Sequence, residues 1–194
     1  VTDALLLRPL SVKDARTLFF ISSHYLREMA LTSGDLTDSD KLRQTEWPFC
    51  DERALLQALA GWRQTRIGRY AAAYAICIAE EERGPSATRT IGALVVSAYD
   101  AHSRSAQLGT YIAPDWRAKG LSRQAKERLF ARLGHTVDTY YCIVRADNTA
   151  ALRALGKLPY ARQAMAARLL PDAIAKDLWL AGRDSVLFEL RPSP

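Results

Sequence analysis

The sequence predicts an α+β fold with a mixed, mostly antiparallel sheet flanked by helices, and three observations predict it. Strand-like runs follow one another through the middle of the chain with only turn residues between them, which joins neighbours antiparallel. Apolar residues recur at helical spacing in two other stretches, Asp51 to Gln64 and Leu121 to Leu133. The 194 residues, 48% hydrophobic and 25% charged, suffice for one well-buried core and are tight for two, so one domain over 1–194 is expected.

The elements follow in order. Ala4 to Arg8 is a short apolar run closed by Pro9 and reads as a first strand. Ser11 with Asp14 three residues on is a capping-box variant, and a helix should follow with Ala15, Leu18, Phe19 and His24 on or near its buried face. Residues 31–50 carry Asp35, Asp38, Asp40 and Trp47-Pro48 and read as a loop or short helical connection. In the helix from Asp51, Leu55, Leu56, Leu59 and Trp62 mark the buried face. Strands are expected over Tyr70 to Ala79, Thr90 to Ala98 and Ser105 to Ile112, with a charged turn from Glu80 to Pro85. Leu121, Ala125, Leu129 and Leu133 then recur every four residues on an amphipathic helix. Thr139 to Val144 is a nearly continuous apolar strand, as when both faces are covered. Asn148 caps a helix to about Gly156. Strands over Tyr160 to Leu169 and Ser185 to Leu190, with a helix over Pro171 to Leu178 between them, complete the chain.

Composition excludes several classes. Nothing approaches the ~20 consecutive apolar residues of a membrane span. No N-terminal stretch has the order of a signal peptide. Cys50, Cys77 and Cys142 are widely spaced, with no C-x-x-C and no neighbouring His, so neither a metal site nor a disulfide framework is expected and a reducing cytoplasm is the simpler location. The net charge is +6. Arg117, Lys119, Arg123, Lys126, Arg128 and Arg132, against Glu127 alone, concentrate it in one segment. Aromatics are not interleaved there as stacking platforms would require, so one phosphate site is expected rather than a nucleic-acid surface.

The chemistry-bearing stretch is Ile112-Ala-Pro-Asp-Trp-Arg117-Ala118-Lys119-Gly120-Leu121-Ser122, between a strand and a helix. A helix N-terminus leaves N–H groups without intrahelical partners and its dipole favours negative charge. Gly120 lets the chain turn sharply, Ser122 adds a hydroxyl, and Arg117 and Lys119 add charge: a cradle suited to a pyrophosphate. The segment resembles the acetyl-CoA signature of GNAT-type N-acetyltransferases, Gln/Arg-x-x-Gly-x-Gly/Ala, with Arg117, Gly120 and Ser122 at its defined positions and Ser122 departing from the usual Gly or Ala. Asn148, Ala151, Lys157 and Tyr160 resemble the family's second motif, and Leu7-Arg8-Pro9 through Asp14 its usual beginning.

The resemblance implies a GNAT fold and transfer of an acetyl or other short acyl group from acetyl-CoA to a small-molecule or peptide amine by direct attack. It implies that Gly109 marks a bulge splaying its strand, that the backbone of Tyr111 and Ile112 pairs with the pantetheine arm, and that loop residues Arg117, Ala118, Lys119, Gly120, Leu121 and Ser122 hold the diphosphate. Asn148 would bond the arm and Lys157 outer phosphates. Two family acid–base positions carry Leu155 and Gln107 instead of Tyr and Glu, so Tyr160, Tyr111 and Cys142 are the candidates for protonating the thiolate. The same two replacements motivate an alternative, an acyl-CoA-binding sensor without turnover. A homodimer is possible. The acceptor is expected over residues 25–68 and the last hairpin, with Asp35, Asp38 and Asp40 as cation-attracting groups and Trp47 and Trp62 as walls.

Overall fold

The structure is a computed structural model that describes residues 5–33, 51–80, 87–164, 170–181 and 184–192. In chain order the elements are β1 (Leu5–Pro9), α1 (Val12–Ser33), α2 (Glu52–Gln64), β2 (Arg66–Ile67), β3 (Tyr70–Ala71), β4 (Ala73–Ala79), β5 (Thr88–Asp100), β6 (Ser105–Ile112), α3 (Leu121–Leu133), β7 (Thr139–Arg145), α4 (Thr149–Gly156), β8 (Ala161–Gln163), α5 (Asp172–Ala181) and β9 (Ser185–Leu190), with a 3-10 turn over Pro114–Trp116. Seven strands lie in the order β1-β4-β5-β6-β7-β9-β8, and β2 pairs with β3 separately. β1 is antiparallel to β4, and β9 is antiparallel to both β7 and β8, whereas β6 and β7 run parallel, so the sheet is mixed and mostly antiparallel as expected.

Boundaries differ where tertiary pairing overrides local pattern. The expected strand from Tyr70 is two strands, broken at Ala72, because its first two residues pair with β2. β5 runs longer at both ends, and β8 spans Ala161–Gln163, while residues 165–169 of the strand expected there lie outside the described residues. α1 continues to Ser33, into the stretch read as a loop or short helical connection. Asp35, Asp38, Asp40, Trp47 and Cys50 lie outside the described residues.

The chain divides into two compact units. The first contains Val1–Arg66, Ala71–Leu94 and Thr110–Lys126. Leu5, Leu18, Leu55, Leu59, Ile76 and Ile91 are buried in it, each such side chain stabilising by about 1.5–3 kcal/mol. Its start is fixed by a reciprocal cap: the Asp14 carboxylate accepts the Ser11 N–H at 3.0 Å, and the Ser11 Oγ accepts the Asp14 N–H at 3.2 Å. The same carboxylate takes both terminal nitrogens of Arg8, at 2.5 and 2.6 Å, and the Thr90 hydroxyl at 2.5 Å. Burial alone would raise the Asp14 pKa, but the bonds from Arg8, Ser11 and Thr90 outweigh it and hold it down to about 2. Cys77 lies 3.8 Å from the Thr90 hydroxyl, and burial pushes its thiol up.

The second unit contains Ile67–Tyr70, Val95–Gly109 and Glu127–Pro194. Phe130 of α3 packs on Tyr140 of β7, with ring centroids 4.6 Å apart, and meets Tyr160 edge-on at 5.5 Å. Tyr141, one residue on and hence on the opposite face, packs with Leu187 and with Ile174 of α5.

Candidate functional site

The stretch that the sequence marks as chemical lies in the first unit, after the end of β6. The Ala113 N–H donates to the Ile91 carbonyl at 2.8 Å, and the Tyr111 carbonyl faces Gly92. The approach at Gly92 is so close that an added Cβ would stand 2.4 Å from that carbonyl. At Gly109, where the sequence suggested a bulge, an added Cβ meets nothing nearer than 3.9 Å. Ladder alternation turns the main chain of Ile112 away from β5. Its carbonyl accepts the Arg117 Nε at 2.9 Å, and the guanidinium lies 5.9 Å from the Tyr111 ring centroid. Arg117 is thus a strap across the loop as well as a charge.

Between the 3-10 turn and α3 the backbone passes through the left-handed region twice, at Ala118 (φ 62°) and Gly120 (φ 74°). Alternating hands of this kind point successive N–H groups to one side and form an anion-binding concavity. The Gly120 carbonyl accepts the N–H groups of Arg123 and Gln124, at 3.1 and 3.2 Å, and so starts α3. Leu121 and Ser122 lie in its first turn, where N–H groups have no intrahelical acceptor. No atom lies within 4 Å of a Cβ added to Gly120, so the glycine serves the turn and leaves the mouth of the concavity open. Ala118, Lys119 and Gly120 are exposed, and the Lys119 Nζ sits 4.7 Å from the Trp116 ring centroid.

Two residues here escaped the sequence reading in their structural roles. Lys126 was counted only as one of the six charges of the basic segment, yet it is 4% exposed and its Nζ donates to the Ser122 Oγ at 2.7 Å. The signal was present as the i, i+4 spacing from Ser122. With its oxygen accepting from Lys126, the Ser122 hydroxyl hydrogen points elsewhere. Gly92 was missed for a different reason: a close backbone approach leaves no mark on one strand's own sequence.

The remaining candidates sit in their own surroundings. The registered pairing of β6 with β7 covers Ser105 to Gln107 against Thr139 to Tyr141, while β6 itself continues to Ile112. Asn148 caps α4, its side chain accepting the Ala151 N–H at 3.1 Å. Lys157 is the exposed C-cap of that helix. Leu155, where the resemblance expected a tyrosine, is 6% exposed and part of the core. Cys142 and Tyr111 are buried, 5% and 7% exposed, and Tyr160 is half-buried beside Phe130. His24, His102 and His135 are exposed, and Trp62 is half-buried. Among the described residues no group of three or more His, Cys, Asp or Glu could hold a metal ion, and no helix is long and apolar enough to cross a membrane.

A family model described as the acetyltransferase (GNAT) domain matches residues 4–160. No curated protein sequence matches significantly. Among solved structures, a GNAT-family acetyltransferase from Bacillus anthracis is similar over 98% of this chain and 97% of its own, at 14% identity and a TM-score of 0.58. The PaiA N-acetyltransferase of Thermoplasma acidophilum, solved with coenzyme A, aligns over 97% of this chain and 99% of its own, at 12% identity and a TM-score of 0.58. Spermidine N-acetyltransferase from Vibrio cholerae, solved with CoA and spermine, aligns over 96% and 93%, at 15% identity and a TM-score of 0.57. Likenesses at such identities show the fold, and the family model spans most of the chain. With the strap, the left-handed loop and the helix start in place, this chain belongs to the GNAT family of acetyltransferase domains.

Proposed function

We propose that the protein transfers an acetyl or other short acyl group from acyl-CoA to an amine by direct attack. The observation that carries the proposal is the concavity from Arg117 to Ser122, where two left-handed residues, the start of α3 and the buried ammonium of Lys126 combine. Its chemistry fits a diphosphate: amide donors, a hydroxyl and cations, with open space at Gly120. Acetyl-CoA supplies an activated carbonyl, whose C–S bond is exchanged for a C–N bond while the thiolate takes up a proton and the amine nitrogen gives one up.

The chain's own part is to bind, orient and move protons. Lys119, Gly120, Leu121 and Ser122 would hold the diphosphate, Arg117 would hold the loop to the end of β6, and Ile112 would offer main-chain groups to an extended arm. In the second unit, Asn148 and Lys157 would serve the arm and outer phosphates by family resemblance. Gln107 stands where a carboxylate base is usual, and an amide cannot take the amine's proton, so positioning carries more of the rate. Tyr111, Tyr160 and Cys142 are the proposed donors to the leaving thiolate. The proposed extent of the acyltransferase domain is the whole chain, 1–194.

A thiol-release assay with acetyl-CoA across a panel of amines, paired with calorimetry of acetyl-CoA alone, tests this reading. Saturable binding with turnover of at least one amine supports it. Binding without turnover of any amine would assign the chain to acyl-CoA sensing, and no saturable binding would remove the cofactor from the account altogether.

A further inference from the structure

The second unit contains a cavity of about 440 Å³ beside the rungs where β6 and β7 are in register. Ser105 and Thr139 form the first rung, and Tyr141 is the partner of Gln107 in the last; Ser105, Thr139 and Tyr141 all line the space. Ser105 is only 2% exposed, so a hydroxyl has been carried into the interior, where its Oγ meets the Ser103 Oγ at 2.8 Å. Rung partners share a face, so Gln107 points to the same side of the ladder. Its Oε1 is buried and has no hydrogen-bond partner among the described residues. A buried acceptor left unmatched is costly, and a donor arriving on a ligand would recover that cost.

The charge of the cavity is set at its turn end. Asp100 accepts the Ser103 hydroxyl at 2.6 Å and the His102 N–H at 2.9 Å, and these bonds hold its carboxyl below the usual range. Arg191 also borders the cavity, but its Nε is paired with Glu189. Asp100 has no ion pair among the described residues and is left as the unmatched charge of a hydroxyl-lined space. An ammonium matches it. A ligand carboxylate would share Arg191 with Glu189 and would face Asp100.

We propose that this cavity receives the acceptor as a small aliphatic diamine, one ammonium against Asp100 and the other amine directed along the Ser105–Thr139 wall towards the Gln107–Tyr141 rung. Two residues along a strand span about 7 Å, a length that a four-carbon diamine matches when extended. The inference rests on the acyl-transfer reading for what happens to the second amine, but the binding can be measured without any turnover.

The full chain is titrated calorimetrically with 1,4-diaminobutane and with butylamine, in the absence of any thioester. The diamine is expected to bind at least ten-fold tighter, and Asp100→Asn to abolish that preference. Thr139→Lys, which puts a fixed cation on the wall without touching the turn, is expected to do the same. Equal affinity for the two amines, no heat from either, or a preference that survives both substitutions overturns the proposal. Acetyl-CoA is titrated separately into the same proteins. Its binding should be unchanged by Asp100→Asn, and its failure to bind the unsubstituted chain would refute the acyl-transfer reading while leaving the diamine result to stand or fall by itself.

Discussion

Replacing Gly120 by Glu and, in parallel, by Gln separates charge from shape in the proposed diphosphate site. At φ 74° any residue with a Cβ pays left-handed backbone strain, about 1–2 kcal/mol, and pays it equally for both side chains. Neither meets protein atoms near its Cβ. The two variants therefore differ by one negative charge at the mouth of the concavity. With a phosphoryl charge about 6 Å away and an effective dielectric constant of about 20 to 40, the repulsion is roughly 1.5–3 kcal/mol, or about ten- to a hundred-fold in affinity. Calorimetry with acetyl-CoA at low salt should show Gly120→Glu weaker than Gly120→Gln by that factor. The gap should shrink near 1 M salt, where screening acts over only about 3 Å. Equal affinities of the two variants at low salt would refute the placement of the diphosphate at this loop.

Other perturbations have defined directions. Asp14 is held at about 2 against an ordinary 3.8, so its carboxylate form contributes about 2 kcal/mol that is fully present above roughly pH 4–5 and fades as the pH falls towards 2. Urea midpoints of the unsubstituted chain should fall between pH 7 and pH 3, and those of Asp14→Asn should be lower at pH 7 but change less with pH. Ala118→Gly relieves a left-handed alanine and should raise stability by about 1 kcal/mol, read as a higher thermal midpoint. Gly92→Ala drives a Cβ into the Tyr111 carbonyl, which is main chain and cannot swing aside. It should cost about 1–3 kcal/mol in denaturant and also weaken acetyl-CoA binding, because Ile112 follows Tyr111 directly.

What could be read before the structure was whatever had a local cause. The Ser11–Asp14 cap, the Leu121 to Leu133 helix and the Asn148 cap each follow from spacing within one turn of helix, and each stands where expected. The turn after Trp116 was legible because Gly120 stands directly before the apolar period that opens at Leu121. Non-local facts were not legible. Nothing near Gly92 in the sequence announces the Tyr111 carbonyl, and nothing near Asp14 announces Thr90. The cavity beside Ser105 depends on β6 and β7 meeting in register, which no single strand encodes.

The hydrogen bond from Lys126 to Ser122 ties two positions together in inheritance. Lys126 takes the Ser122 oxygen as an acceptor inside the protein, so reverting Ser122 to the small apolar residue customary in the family would withdraw that acceptor from an enclosed cation. A substitution at Ser122 is therefore felt one turn along the helix as well as in the loop. Sequences descending from a common ancestor with this chain should therefore vary at the two positions together more often than the distance of either from the other's function would suggest.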